Sequence, residues 1–319
     1  MIAFTRHVYG GPEVLRIGYV EKPILGDKNV LIRIRANSAN PADWYILKGK
    51  PFFSRFVYGL FRPKNIVPGS DFSGIVESVG KDVTHLKAGD RVFGSSLQGG
   101  AFAQYISIPA DACALMPHHS EFAEMAAMPI AGVTALEALI TYGNLQKGES
   151  VMINGATGGV GHLAVQIAKA YGANVTAVCA SKNISFAREL GADKVIAYDS
   201  EDVQMTNAYY DLVIDINGNL SYEDYQRLGK RAVSVGFTTM KQMLILILKK
   251  SFGKFPIQKF TVSLNSKNMD VLRVLIEQEK IKPYLQQTLS YEEIPSAIAQ
   301  IKTRHTKGKI AMLWPNTSI

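Results

Sequence analysis

Hydrophobic and polar positions follow two different rhythms along this chain. Up to about Phe122 the apolar residues fall in short runs with a period of two. Residues 30–36 (VLIRIRA) alternate as a half-buried strand does. Residues 72–80, 91–93 and 102–108 repeat the pattern, punctuated by Lys87-Ala88-Gly89-Asp90 and Gly99-Gly100. This part predicts a small, irregular, barrel-like β domain. From Val151 onward short apolar strands alternate with helical stretches. Residues 151–153, 174–178, 194–197, 211–216 and 231–235 read as buried strands. Helical spacing appears in Val160, Leu163, Ala164, Ile167, Ala168 and Tyr171, and again over 184–190. That alternation predicts a doubly wound parallel sheet, so the fold class is α/β.

Between the two parts, residues 121–142 are rich in small residues and helix formers, broken by Pro129 and Gly132. They predict a helical connection on which Thr134 either caps a helix or faces a ligand. After Gly236 the alternation stops. An apolar run, 243–248, lies between Lys241 and Lys249-Lys250. It is too short to span a bilayer, which needs roughly 20 apolar residues. A subunit contact, an active-site flank and a peripheral membrane contact remain open for it. A strand over 257–264, helices over 269–276 and 294–301, and a closing strand over 310–314 complete the prediction.

The first strand–helix junction carries the strongest chemical signal. Strand 151–153 breaks at Asn154-Gly155, and the turn Ala156-Thr157-Gly158-Gly159-Val160-Gly161 opens the helix that follows. The spacing Ala-x-Gly-x-x-Gly is a dinucleotide fingerprint with alanine in first place. Gly158 lets backbone amides approach a pyrophosphate, and Gly161 lets the helix pack closely on its strand. The helix N-terminus then offers unpaired N–H groups and a positive dipole end.

A second cluster, Asn40-Pro41-Ala42-Asp43-Trp44-Tyr45, interrupts the β part. Pro41 enforces a turn, and Asp43 is suited to cap a short helix. Asn40 has donors and an acceptor for a substrate carbonyl or a ribose hydroxyl. Tyr45 can donate to an oxygen that gains charge. A merely capped turn with a half-buried tyrosine is the alternative. The stretch 50–64 (KPFFSRFVYGLFRPK) is aromatic and basic, and either walls an apolar pocket or packs on the β domain.

The 319 residues suffice for about two domains with full cores. Two cysteines, Cys113 and Cys179, are too few for a disulfide framework or a cysteine-based zinc site, which suits a reduced, cytoplasmic setting. A net charge of +8 is spread along the chain and accompanies no nucleic-acid motif. No signal peptide is expected from the opening residues.

Several stretches together resemble one family. They are Tyr9-Gly10-Gly11-Pro12-Glu13-Val14-Leu15, the Asn-Pro-Ala-Asp cluster, Pro68-Gly69-Ser70-Asp71-Phe72-Ser73-Gly74, residues 87–94, Ala131-Gly132-Val133-Thr134-Ala135 and the glycine turn. In this order they look like the medium-chain dehydrogenase/reductase superfamily, in its zinc-free quinone-oxidoreductase branch. The Tyr58-Gly59-Leu60-Phe61 insert is similar to that of the chloroplast-envelope quinone-oxidoreductase homologue and alkenal-reductase group. The resemblance implies a GroES-like catalytic domain over residues 1–122 and 262–319, and a Rossmann domain over 123–261. It also implies a homodimer. Where zinc alcohol dehydrogenases carry a ligand cysteine this chain has Asn40, and where they carry the ligand histidine it has Ser70. Neither neutral side chain forms the bonds zinc requires, so no metal is expected. A short-chain dehydrogenase would need a tyrosine four residues before a lysine, and none is present.

At the end of the second nucleotide strand the chain reads Cys179-Ala180-Ser181-Lys182-Asn183, with one cation and no acid. Ser181 and Lys182 suit a ribose 2′-phosphate, hence NADPH, and the resemblance adds Tyr198 beside the adenosine. The expected cofactor set is Asn40, Thr134, Ala156 to Gly161 (through Thr157, Gly158, Gly159 and Val160), Ser181, Lys182, Tyr198, Asn217, Val235 and Gly236. The expected activity is NADPH-dependent reduction of a quinone or of the double bond of an α,β-unsaturated carbonyl, with Tyr45 and Asn40 as catalytic residues. A non-catalytic NADPH-binding protein on the same fold is the rival reading.

Overall fold

One long strand, Asn29–Ser38, organises the β-rich part of the chain in the computed structural model, which describes residues 1–200, 208–236, 245, 255–259, 262–303 and 306–315. Along one edge it pairs antiparallel with Asp71–Val79, with register shifts at Leu31/Ile32 and Ile34/Ala36. The other edge is shared. Its first half pairs with Tyr105–Pro109 and its last three residues with Lys309–Leu313. Bulges of this kind bend a strand and let it change partners, which is how a short sheet curls towards a barrel. Asp71–Val79 continues to Arg91–Ser95 and then Cys113–Leu115, while Leu285–Ser290 lies parallel to Lys309–Leu313. The core of this unit gathers Ile32, Leu47, Phe72, Val92 and Phe102 with Ile294, Ile298 and Ile301 of a covering helix, Ile294–Ile301.

Among the described residues the second sheet has six parallel strands in the spatial order Lys194–Ala197, Asn174–Cys179, Ser150–Asn154, Tyr210–Asp215, Gly229–Ser234, Ile257–Lys259. The chain starts in the middle at Ser150–Asn154, runs outward one way, then returns to build the other side. The order reverses between Ser150–Asn154 and Tyr210–Asp215, which is where open α/β sheets bind ligands beyond the carboxyl ends of their strands. Val151, Met152 and Ile153 are fully buried, as a strand covered on both faces requires. The helix Gly161–Ala170 buries Leu163, Ala164, Ile167 and Ala168, the positions its helical spacing marks.

Two compact units result: Met1–Ile130 with Leu264–Val274 and Pro283–Ile319, and Ala131–Ser263 with Leu275–Lys282. The helix Phe122–Ala126 therefore stays with the β unit, where the Phe122 carbonyl accepts the Ser73 hydroxyl at 2.6 Å. The strand expected over 257–264 is described only over Ile257–Lys259. Apart from Ile245, the apolar run 243–248 lies outside the described residues. Among the described residues no helix is long and apolar enough to cross a membrane.

Candidate functional site

In the parallel-sheet unit the expected cofactor residues converge on one edge. Asn154 ends the central strand, and the turn from Gly155 to Gly161 follows it. Ser181 and Lys182 follow the strand Asn174–Cys179, and Tyr198 follows Lys194–Ala197. Asn217 follows Tyr210–Asp215, and Val235 and Gly236 follow Gly229–Ser234. All these strands are parallel, so every one of these residues lies at a carboxyl end. Thr134 stands elsewhere in the unit, 6% exposed on the helix Pro129–Leu136.

The two glycines of the fingerprint have different reasons to be glycine. A Cβ on Gly161 would stand 2.0 Å from the Gly155 carbonyl oxygen and 2.6 Å from the Ala156 carbonyl carbon. The helix can approach its strand only if that atom is missing. A Cβ on Gly158 would meet nothing nearer than the Gly155 oxygen at 3.7 Å. The protein itself leaves that space open, and a pyrophosphate needs it. The helix that begins at Gly161 has no side-chain cap on its first turn, where the His162 N–H is given to the Gly158 carbonyl at 3.0 Å, and its positive dipole end suits an anion. Asn183 ties this turn to the next strand end by donating to the Thr157 hydroxyl at 3.2 Å.

Asp215 secures the far side of the edge. Buried, it accepts from Asn154 Nδ2 at 2.8 Å, from the Gly218 and Leu220 N–H groups at 2.9 and 3.0 Å, and from the Tyr225 hydroxyl at 2.8 Å. Burial raises its pKa against the pull of those bonds. The loop carrying Asn217 is thereby fixed, with Asn217 against Gly155.

Ser181 holds a partner that the sequence did not disclose. Its hydroxyl and its N–H both donate to Asp199 Oδ1, at 2.5 and 2.8 Å. These bonds, with a smaller contribution from Lys182, lower the Asp199 pKa. An acid therefore does stand beside the Ser181-Lys182 pair, supplied by the neighbouring strand end.

In the β unit the cluster at Asn40 is a buried charge network. Asn40 caps the helix Pro41–Lys48, and its N–H donates to Asp43 Oδ2 at 2.8 Å. Asp43 Oδ1 accepts the Ser70 hydroxyl at 2.6 Å. Asn40 Nδ2 donates to Asp71 Oδ2 at 2.9 Å, while Asn40 Oδ1 accepts from Lys309 Nζ at 2.5 Å. The same ammonium donates to the Ala39 carbonyl at 3.1 Å and stands 3.9 Å from Asp71 Oδ2. All five side chains are buried; Lys309 is 3% and Asp71 0% exposed. Burial raises the Asp71 carboxyl to about 6, with the Lys309 charge pulling it back. Asp43 is raised by burial and Lys309 lowered by it.

Asn40 is 2% exposed, with its Nδ2 given to Asp71 and its Oδ1 accepting from Lys309, so here its carboxamide supports Asp71 and Lys309. Ser70 is likewise committed to Asp43. Tyr45, four residues along the helix from Pro41, is half-buried with its ring edge-on to Trp44 at 5.1 Å. In the sequence Lys309 precedes the apolar run 310–314 and reads as a polar flank. Its one local mark is its place between Gly308 and an uninterrupted apolar strand. Among the described residues no three His, Cys, Asp or Glu side chains are grouped to hold a metal ion.

Comparison with known proteins gives a consistent set. The alcohol dehydrogenase GroES-like domain matches residues 26–118, and the zinc-binding dehydrogenase family matches 190–312. A chloroplastic quinone-oxidoreductase homologue of Spinacia oleracea is 30% identical over 319 residues, 94% of either chain. The chloroplastic NADPH-dependent alkenal/one oxidoreductase of Arabidopsis thaliana is 29% identical over 327 residues, 98% of this chain and 79% of its own. The structure of Escherichia coli quinone oxidoreductase complexed with NADPH is similar at a TM-score of 0.82 and 26% identity, covering 98% of this chain and all (100%) of the other.

Proposed function

The chain belongs to the medium-chain dehydrogenase/reductase superfamily, and from that premise we propose an oxidoreductase that uses NADPH, without zinc, to reduce a quinone or the double bond of an α,β-unsaturated carbonyl compound. The observation that carries the cofactor assignment is the open cradle at Gly158, beside a helix N-terminus without a side-chain cap, at the reversal point of a parallel sheet. The residues present fit a dinucleotide. The turn from Ala156 to Gly161 would hold the pyrophosphate, Lys182 the ribose 2′-phosphate, with Ser181 joining it only by giving up a bond to Asp199, and Tyr198 would lie beside the adenosine. Asn217, Val235, Gly236 and Thr134 complete the proposed set. NADPH, when bound, supplies a hydride.

The chain's own contribution is to place and polarise. Tyr45 is the proposed donor to the oxygen that would gain charge as the β carbon of the conjugated carbonyl, or the quinone ring, is reduced. Asn40 acts through Asp71 and Lys309 as a support of the helix that carries Tyr45. The zinc-free reading rests on the donor set: an amide and a hydroxyl already engaged in hydrogen bonds, beside a buried ammonium. The relatives favour an apolar substrate.

An NADPH oxidation assay across quinones and enones, with NADH in parallel and metal analysis of the same sample, tests the proposal. Turnover with NADPH and no bound metal is expected. Tight NADPH binding without turnover across the panel would favour the non-catalytic reading, and stoichiometric zinc in active protein would overturn the zinc-free one.

A further inference from the structure

Between the helix Pro41–Lys48 and the strand Asp71–Val79, the chain holds a set of apolar side chains out to solvent on a pinned backbone. The Tyr9 hydroxyl donates to the Gly59 carbonyl at 2.6 Å, and the Lys64 N–H to the Tyr58 carbonyl at 2.8 Å. Arg55 Nε donates to the Gly49 carbonyl at 3.1 Å, with its guanidinium 4.4 Å from the centre of the Tyr9 ring. On this framework Phe52, Phe53, Phe56, Val57 and Phe61 are 63%, 52%, 68%, 66% and 85% exposed. Packing on the β domain accounts for none of the five. Single exposed apolar residues are ordinary, but a cluster on one fixed segment marks an interaction surface.

The charge of the segment selects the partner. Residues 44–70 contain five Lys or Arg and no Asp or Glu. Lys50, Arg62 and Lys64 are exposed beside the phenylalanines. Aromatic side chains flanked by cations match the boundary of an anionic bilayer, where rings enter the acyl edge and cations stay among the headgroups. We propose that this face docks on an anionic lipid membrane, with Phe52, Phe53, Phe56 and Phe61 inserted and Lys50, Arg62 and Lys64 against the lipid charge. Docking needs no turnover, so it stands or falls separately from the proposed reaction.

Co-sedimentation of the full chain with vesicles tests it, using phosphatidylcholine alone and phosphatidylcholine with phosphatidylserine. Binding to the anionic vesicles is expected at low salt, weakening as salt rises. Arg62→Gln with Lys64→Gln should weaken it at least roughly tenfold, since each cation near the surface contributes about fivefold in affinity. Phe52→Ser with Phe53→Ser and Phe56→Ser should weaken it at least as much. Circular dichroism verifies folding, and the charge variant alone decides the matter if the aromatic one misfolds. No binding to anionic vesicles, equal binding to neutral ones, or binding undiminished in the variants would overturn the proposal. Sedimentation velocity supplies the remaining arm: self-association abolished by the aromatic variant would assign the face to a second copy of the chain and overturn membrane docking.

Discussion

Lys309→Met isolates the buried charge network. The substitution keeps an unbranched side chain of similar length and removes only the ammonium. Asn40 Oδ1 and the Ala39 carbonyl lose their donor, and Asp71 loses its cation 3.9 Å away. Removing one partner of a buried pair costs about 3–5 kcal/mol. Asp71 can relieve part of that by taking up a proton, and its pKa of about 6 sets how much. The sign follows from linkage. Its folded value lies above the ordinary 3.8, so the contribution to stability is full below pH 3.8 and is lost as pH rises through about 6. Without Lys309 the folded value climbs further, and the variant keeps its proton where the wild type has released it. The penalty should therefore be about 4 kcal/mol at pH 8 and shrink by up to about 2.5 kcal/mol at pH 5.5, at about 1.36 kcal/mol per pKa unit. Arg6, which also feels Asp43, is unchanged in both proteins. Both tryptophans, Trp44 and Trp314, lie in this unit, so denaturation followed by tryptophan fluorescence reports on it directly. A penalty that is flat with pH, or larger in acid, would refute the coupling of Lys309 to Asp71.

Tyr45→Phe should lower single-turnover hydride transfer to an enone at least roughly tenfold with NADPH affinity little changed, since one principal oxyanion donor is worth about 10²–10³ in turnover; an unaltered rate leaves Tyr45 as a wall of the site. Gly158→Ala should leave the unfolding midpoint within about 0.5 kcal/mol of wild type while weakening NADPH binding at least roughly tenfold by calorimetry, because its Cβ enters only the cofactor's space. Gly161→Ala should instead destabilise the fold by about 1–3 kcal/mol, through the 2.0 Å approach to the Gly155 oxygen. Asp199→Asn removes a negative charge bonded to Ser181, and should raise kcat/KM for NADPH over NADH severalfold; a shift towards NADH would show that Asp199 does not face the 2′ position.

What the sequence made legible was whatever depends on neighbours in the chain. The period-two runs at 30–36 and 72–80 and the strand–turn–helix at Gly155 are local patterns, and the strands Asn29–Ser38 and Asp71–Val79 and the helix Gly161–Ala170 form there. The sequence could not show contacts set by register across the sheets. Asp199 reaches Ser181 because Lys194–Ala197 pairs in parallel with Asn174–Cys179, eighteen residues apart in the chain. Lys309 reaches Asn40 across 269 residues because the closing strand pairs with Ala36–Ser38. Side chains that look available in one dimension, Asn40, Ser70 and Ser181, prove to be committed by partners from elsewhere.

The network also bears on the zinc-free reading proposed above. A divalent cation beside Asn40 and Ser70 would have to displace the Lys309–Asn40 and Ser70–Asp43 hydrogen bonds, and would then share its surroundings with a buried ammonium. Like charges at short range among buried groups repel by several kcal/mol even at an effective dielectric of about 20. Two buried carboxylates and one ammonium leave about one negative charge, which is balanced when Asp71, at about 6, takes a proton. On that reasoning the lysine does the electrostatic work that a metal would do for the buried carboxylates, and leaves the substrate oxygen to a hydrogen-bond donor. Lys309→Met bears on this as well: if the lysine occupies the metal's electrostatic role, the variant should take up divalent zinc measurably better than the wild type when both are titrated by calorimetry. Equal and negligible uptake by the two proteins would mean that ligand chemistry, rather than the buried ammonium, excludes the metal.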